Sequence, residues 1–126
     1  MASADASRKE NVGTQGTISF GGVRAMWVLA MFDLPVATKV EKRNYLRFRS
    51  ALIDDGFIML QYSVYARPCP SDENAAVHVR RVELSLPPEG QVRILTLTDM
   101  QFARMRIFLS KKSVPVEKQP EQLSFF

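Results

Sequence analysis
One carboxylate in this 126-residue chain is placed where it could do chemistry. Asp33 is the first charge after the eight-residue apolar run Ala25–Phe32 and is followed at once by Leu34-Pro35. A run of that length and composition predicts a buried central strand, ended by the proline. An ionised carboxylate at the lip of such a strand is costly unless something there uses it. Paired with its own copy about a two-fold axis, Asp33 makes a candidate Mg²⁺ site. Mg²⁺ keeps several waters and takes one or two protein carboxylates plus substrate phosphates. The chemistry would be water activation and charge stabilisation in phosphodiester cleavage. The competing reading is structural, a turn-former capping the Asp-Leu-Pro corner.

Other reactive residues are few. His78 is the only histidine and Cys69 the only cysteine. No metal-ligand spacing surrounds His78, which reads as a solvated helix position beside Arg80 and Arg81. A Ser-His-Asp or multi-histidine metal enzyme is thereby disfavoured, and an internal disulfide is excluded. Cys69 reads as a packed or exposed loop thiol between two prolines. Asp54, Asp55 and Asp99 fall at predicted turns and read as solvent positions. The glycines of the first 22 residues form no phosphate loop. Lys39, Arg43 and Arg47, at i, i+4 and i+8, make a basic stripe with no acidic residue four away inside it. With Arg80 and Arg81 they are candidate nucleic-acid contacts, sequence-independent and salt-sensitive. The bland alternative is an ordinary solvated helix face.

The elements that must hold these residues follow from the pattern. After the strand ending at Asp33, Thr38-Lys-Val-Glu41 is a capping box. It opens a helix with Tyr45, Phe48 and Leu52 on one face, Leu46 and Ile53 beside them, and Gly56 as its stop. Ile58–Arg67 is extended, with polar Gln61 and Ser63 predicting a kink that divides it into two strands. Ser71 or Asp72 caps a second helix with Ala75, Val79, Val82 and Leu86 on its apolar face, ended by Pro87-Pro88. Val92–Thr98 is a further strand. Residues 101–109 alternate like one more strand, with a short helix as the rival. The order β-α-β-β-α-β predicts an α+β, ferredoxin-like fold, an antiparallel sheet with helices on one face and an additional C-terminal strand. The other sheet face is expected to be covered by dimerisation.

Length and composition bound this to one domain with a single core. Hydrophobic residues are 46% and charged residues 24% of the chain. The expected organisation is a disordered leader over 1–22, a domain over 23–110, and a tail over 111–126 with an apolar docking segment at 122–126. With no signal-like N-terminus and no apolar run near ~20 residues, the expectation is a cytoplasmic protein without a membrane partner. The net charge of +4, from 17 basic and 13 acidic residues, lies mainly on the domain and suits a nucleic-acid partner without establishing one.

Several blocks match a known family. Val28-Leu-Ala-Met-Phe-Asp33, a basic first helix, Asp55-Gly-Phe57 and Gln61-Tyr-Ser-Val-Tyr65 follow one another in the order found in the second CRISPR-associated protein family. The blocks Phe32-Asp-Leu-Pro35, Tyr45-Leu-Arg-Phe-Arg49, Leu86-Pro-Pro88 with Arg93–Thr98, and Gln122-Leu-Ser-Phe-Phe126 resemble its branch beside the type II effector. The resemblance covers about residues 24–126. It implies a ferredoxin-like homodimer with metal-dependent endonuclease activity on RNA or DNA, Asp33 serving as the catalytic Mg²⁺ ligand. It further implies a place between two dimers of the integrase subunit, the first CRISPR-associated protein, holding prespacer double-stranded DNA during spacer acquisition. Leu123, Phe125 and Phe126 would then dock the tail on a neighbouring subunit. Residues 1–22 have no counterpart in the family. The alternatives are a stand-alone toxin-type ribonuclease using the same aspartate and a non-enzymatic ferredoxin-like sensing module. An RNA-recognition module would need stacking aromatics on one sheet face, and Tyr62 and Tyr65, three apart, would face opposite ways.

Overall fold
The computed structural model describes residues 24–120. The expected leader over 1–22 and the docking residues Leu123, Phe125 and Phe126 lie outside the described residues. In chain order the elements are β1 (Met26–Asp33), α1 (Lys39–Asp54), β2 (Ile58–Gln61), β3 (Val64–Cys69), α2 (Asp72–Leu84) and β4 (Gln91–Thr98), followed by α3 (Asp99–Ala103), β5 (Ile107–Leu109) and β6 (Lys112–Val114). The first four strands form one antiparallel sheet in the order β2-β3-β1-β4, so β1 is interior, as its apolar run predicts. This is the ferredoxin-like order.

The alternation of side chains along β1 divides the molecule into two cores. Met26, Val28, Ala30 and Phe32 face α1 and α2, packing on Phe48, Leu52, Phe57, Tyr65, Ala75 and Val82. Trp27 and Leu29 face the other way, onto Ala66 and Phe102, with Leu60, Leu97, Met105 and Val116 at the margin. Full burial of each such large apolar side chain contributes roughly 1.5–3 kcal/mol before entropy is counted.

Helix starts follow the predicted chemistry. Thr38 Oγ1 accepts from Glu41 N at 3.1 Å, and Glu41 Oε1 accepts from Thr38 N at 3.0 Å. Of the two candidate caps for α2, Ser71 is the one used, its hydroxyl accepting from Asn74 N at 3.0 Å. Gly56 ends α1 at φ 90, left-handed backbone that glycine adopts without strain. The predicted kink between β2 and β3 is a tight turn at Tyr62-Ser63 with a register shift between Met59 and Gln61.

Residues 101–109 do not form one strand. Thr98 caps the short helix α3 through its own capping box with Gln101, so the chain leaves the sheet there. Phe102 is thereby laid over Trp27, ring centroids 3.9 Å apart and 9° from parallel. Stacking of that kind and a hydrogen bond from Trp27 Nε1 to Asp99 Oδ1 at 2.7 Å outweigh the strand-like alternation. Asp99, expected in solvent, is therefore an indole acceptor. β5 and β6 then form a separate hairpin over the two-residue turn Ser110-Lys111, both at positive φ. Gln119 Nε2 donates to Met26 O at 2.7 Å, and Val116 packs on the second core, so the described part of the tail is fastened to the domain.

Candidate functional site
Asp33 is the last residue of β1 and is exposed. Its position is set by the residue before it. Phe32 is buried against three rings: Phe48 at 5.1 Å edge-on, Tyr65 at 5.6 Å stacked, and Tyr45 at 6.2 Å tilted. The Phe32 N–H donates to Ser63 O at 3.0 Å, fastening this end of β1 to the β2–β3 turn. On the other side Asp33 pairs with Gln91 of β4. Gly90, at φ 98, lies so close that an added Cβ would stand 2.8 Å from Asp33 O and 2.6 Å from Leu34 Cδ2. Gly90→Ala is accordingly expected to cost about 2 kcal/mol, from positive-φ strain and the clash. A urea-unfolding midpoint equal to that of the native chain would show that the loop yields freely.

Strand parity places the Asp33 carboxylate on the sheet face away from α1 and α2, in the row of Trp27, Leu29 and Met31. Along the same face run Val64 and Ala66 of β3 and Leu95 and Leu97 of β4. α3 covers the Trp27 end of that face. Leu95 of the edge strand β4, opposite Leu29, is 49% exposed, and nearer Asp33 the same row of β4 continues with Arg93, opposite Met31, so the apolar strip gives way to charged residues at the Asp33 end.

The donor set bears on a metal. Among the described residues no hydrogen bond or ion pair engages the Asp33 carboxylate, and no group of three or more His, Cys, Asp or Glu side chains is placed to hold an ion. A single exposed, unengaged carboxylate fits Mg²⁺ as one hard-oxygen ligand of an ion otherwise bound by water and phosphate. It fits less well any metal that demands a closed protein cage.

The basic candidates separate into two kinds. Lys39, Arg43 and Arg47 are exposed along α1, and among the described residues none is in an ion pair. Arg80 pairs with Glu83 at 3.4 Å, both well exposed, a contact of little energy. Arg81 NH1 donates to Asp55 Oδ1 at 2.8 Å. Arg49, passed over in the sequence as part of the helix, donates from Nε to the Tyr65 hydroxyl at 2.8 Å. Its partner is sixteen residues away on β3, so no local spacing signals the contact.

His78 is not a solvated helix position. It is 3% exposed, and its Nδ1 lies 2.7 Å from Asp55 Oδ2, the distance of an N–H donating to a carboxylate. Ala75, His78 and Val82 are the buried residues of α2, a three-four spacing that puts His78 on the apolar stripe, whereas Leu86 lies beyond the helix and is exposed. Asp55 is correspondingly no solvent turn. Its carboxylate bridges His78 and Arg81 and its carbonyl accepts from Arg67 Nε at 2.9 Å. Burial pushes the Asp55 carboxyl up, but the hydrogen bonds from His78 and Arg81 outweigh it and hold it below the ordinary carboxylate value. This cluster borders an open cavity of about 300 Å³ between the end of α1 and α2, at the opposite end of α1 from Asp33. Cys69 is buried in β3, and burial raises its thiol pKa, so it is a packed and unreactive thiol.

The fold and site thus define a ferredoxin-like α+β protein with one exposed carboxylate at the end of its interior strand and a basic first helix. The family described as CRISPR associated protein Cas2 matches residues 26–105. A protein of Parvibaculum lavamentivorans named CRISPR-associated endoribonuclease Cas2 is 52% identical over 101 residues, 80% of this chain and 100% of the relative. Relatives of the same name from Flavobacterium psychrophilum and Paracidovorax avenae are 45% and 44% identical, over 82% and 83% of this chain and 90% and 97% of their own lengths. The chain belongs to the CRISPR-associated Cas2 family. No helix among the described residues is long and apolar enough to cross a membrane.

Proposed function
We propose that this protein is a CRISPR-associated nuclease. In this reading a homodimer formed through the sheet face cleaves phosphodiesters of RNA or DNA at paired Asp33 carboxylates, and the same dimer grips prespacer double-stranded DNA for the integrase subunit. The observation that carries the reading is the exposed Asp33 carboxylate, engaged by no hydrogen bond or ion pair among the described residues, at the end of β1 on the sheet face away from α1 and α2, beside an apolar row. A strip such as Met31, Val64 and Leu95 favours burial against a second copy, and a two-fold contact there places two carboxylates near one axis. The relatives' names, which describe endoribonucleases, favour RNA as the cleaved substrate.

Asp33 would hold Mg²⁺, which when bound supplies charge neutralisation at the phosphate and a more acidic water. The chain's own residues do the rest. The ring cluster around Phe32 fixes where the carboxylate stands, and the Gly90 loop closes on its backbone. The exposed cations of α1 attract the polyanion and set its path.

Asp33→Ala is expected to lower cleavage of a single-stranded RNA about 100-fold or more, as loss of a metal ligand does, with an unchanged melting midpoint because the side chain is exposed. Unaltered cleavage would remove Asp33 from the reaction. Changing Lys39, Arg43 and Arg47 together to Ala is expected to weaken duplex binding and lessen the log–log salt slope by about 3, one per lost phosphate contact. An unchanged slope would leave the stripe an ordinary solvated face. Prespacer integration with the integrase subunit, measured on both variants, separates the two roles: gripping depends on the stripe and cleavage on Asp33.

A further inference from the structure
We propose that Arg93 is a second catalytic residue of the nuclease, its guanidinium holding the non-bridging oxygens of the phosphodiester that reacts beside Asp33. This deepens the nuclease reading and rests on it for the identity of the reacting site. The placement comes from strand register. β1 and β4 pair without a break from Met26 with Thr98 to Asp33 with Gln91, and Met31 opposes Arg93. Opposed residues of an antiparallel pair project to the same face, so Asp33, Gln91, Met31 and Arg93 form one quartet on the face away from α1 and α2. Within it Asp33 and Arg93 are diagonal neighbours, roughly 7–8 Å apart and within reach of long side chains. Gly90, whose added Cβ would stand 2.8 Å from Asp33 O, fastens the start of β4 against the end of β1.

Along this face β4 presents Gln91, Arg93, Leu95 and Leu97, so Arg93 is the one charged residue of its row. β4 is an edge of the four-stranded sheet, and Arg93 therefore stands between the carboxylate and the sheet margin. Both charges are exposed, and the ion pairs among the described residues are those of His78, Arg80 and Arg81, so Asp33 and Arg93 do not neutralise each other. An exposed carboxylate and guanidinium gain little by pairing in water. A phosphate offers the guanidinium more, because its planar fork matches two phosphate oxygens at once. In hydrolysis the attacking water forms a new P–O bond and loses a proton to solvent. The leaving sugar oxygen takes the electron pair of the P–O bond that breaks and gains a proton from solvent. Negative charge on the phosphoryl oxygens is met by the guanidinium, which exchanges no proton. The bland reading is an edge-strand charge that only discourages strand addition, a task needing no guanidinium and affecting no rate.

The test compares Arg93→Gln and Arg93→Lys in the full-length protein, with a single-stranded RNA as substrate. Arg93→Gln is expected to lower kcat about 100-fold or more, as loss of a donor to developing charge does, with KM within about 3-fold. Arg93→Lys is expected to recover part of the loss, since it keeps the charge without the fork. Cleavage by Arg93→Ala is expected to rise with added guanidinium and not with equal sodium chloride. The urea-unfolding midpoint of Arg93→Gln should match the native value. In an Asp33→Asn background, where turnover is prevented, Arg93→Gln is expected to lessen the log–log salt slope of RNA binding by about 0.7, one phosphate contact on a single strand. A native kcat in Arg93→Gln overturns the proposal and leaves the edge-charge reading. So does dissociation of the dimer in that variant, which would assign Arg93 to the contact between copies. Asp33→Ala separates the two failures: if it abolishes cleavage while Arg93→Gln cleaves normally, the present inference alone fails, whereas unaltered cleavage in Asp33→Ala removes the nuclease reading itself.

Discussion
Phe32→Ala is expected to remove about 3–5 kcal/mol of stability, a large share of what a domain of this size possesses. Phe32 is 7% exposed and is the common neighbour of Tyr45, Phe48 and Tyr65. Its removal takes away the buried area of one ring and leaves a cavity that three other rings, held by α1 and β3, cannot close together. The urea-unfolding midpoint should fall with little change in slope. Phe32→Leu keeps most of the volume and should cost under about 1.5 kcal/mol, so it stays folded. That variant reads out the second consequence. Phe32 sets the backbone that carries Asp33, and a displacement near 1 Å at a reacting group can cost on the order of 100-fold in rate. A folded Phe32→Leu protein that cleaves as fast as the native chain would show that the ring cluster supports the fold and not the site.

Asp55→Ala is expected to cost about 3 kcal/mol, because it strands a buried partner. Arg81 is more than half exposed and can return to water, whereas His78 is enclosed and loses the acceptor for its Nδ1. A double-mutant cycle with His78→Ala should show a coupling of about 1 kcal/mol or more. The cluster also sets an acid limit. The Asp55 carboxyl is held below its ordinary value of 3.8 in the folded chain. Its contribution is therefore fully present above that value and is lost as pH falls through the lower, folded one. Stability measured against pH should decline on the acid side in the native chain and less steeply in Asp55→Asn. Identical acid limbs would show that the carboxylate is not held by His78 and Arg81 as described.

The local elements were legible because their signals are local. Thr38 and Glu41 are three residues apart and satisfy each other's backbone whatever the rest of the chain does. The run before Asp33 is too apolar for anything but an interior strand, and Gly56 marks a left-handed stop. The order of elements followed, and with it the ferredoxin-like arrangement. The misreadings lie where a distant contact decided the outcome. His78 reads as solvated in the sequence because its acceptor, Asp55, is 23 positions away, on the end of another helix. The alternation over 101–109 promised a strand, but Trp27, more than seventy residues earlier, draws Phe102 and Asp99 over the sheet. Arg81 looked like a free cation until the fold brought Asp55 to it.

For this protein the sequence by itself determined the carboxylate, the strand that ends on it and the basic helix that follows, since composition and short-range spacing are sufficient for each. The tertiary structure alone decided the face on which Asp33 emerges and the ring cluster that fixes it. It also decided which cations are left unpaired among the described residues. Those depend on strand register, and register joins residues that are remote in the chain through hydrogen bonds that no local pattern records.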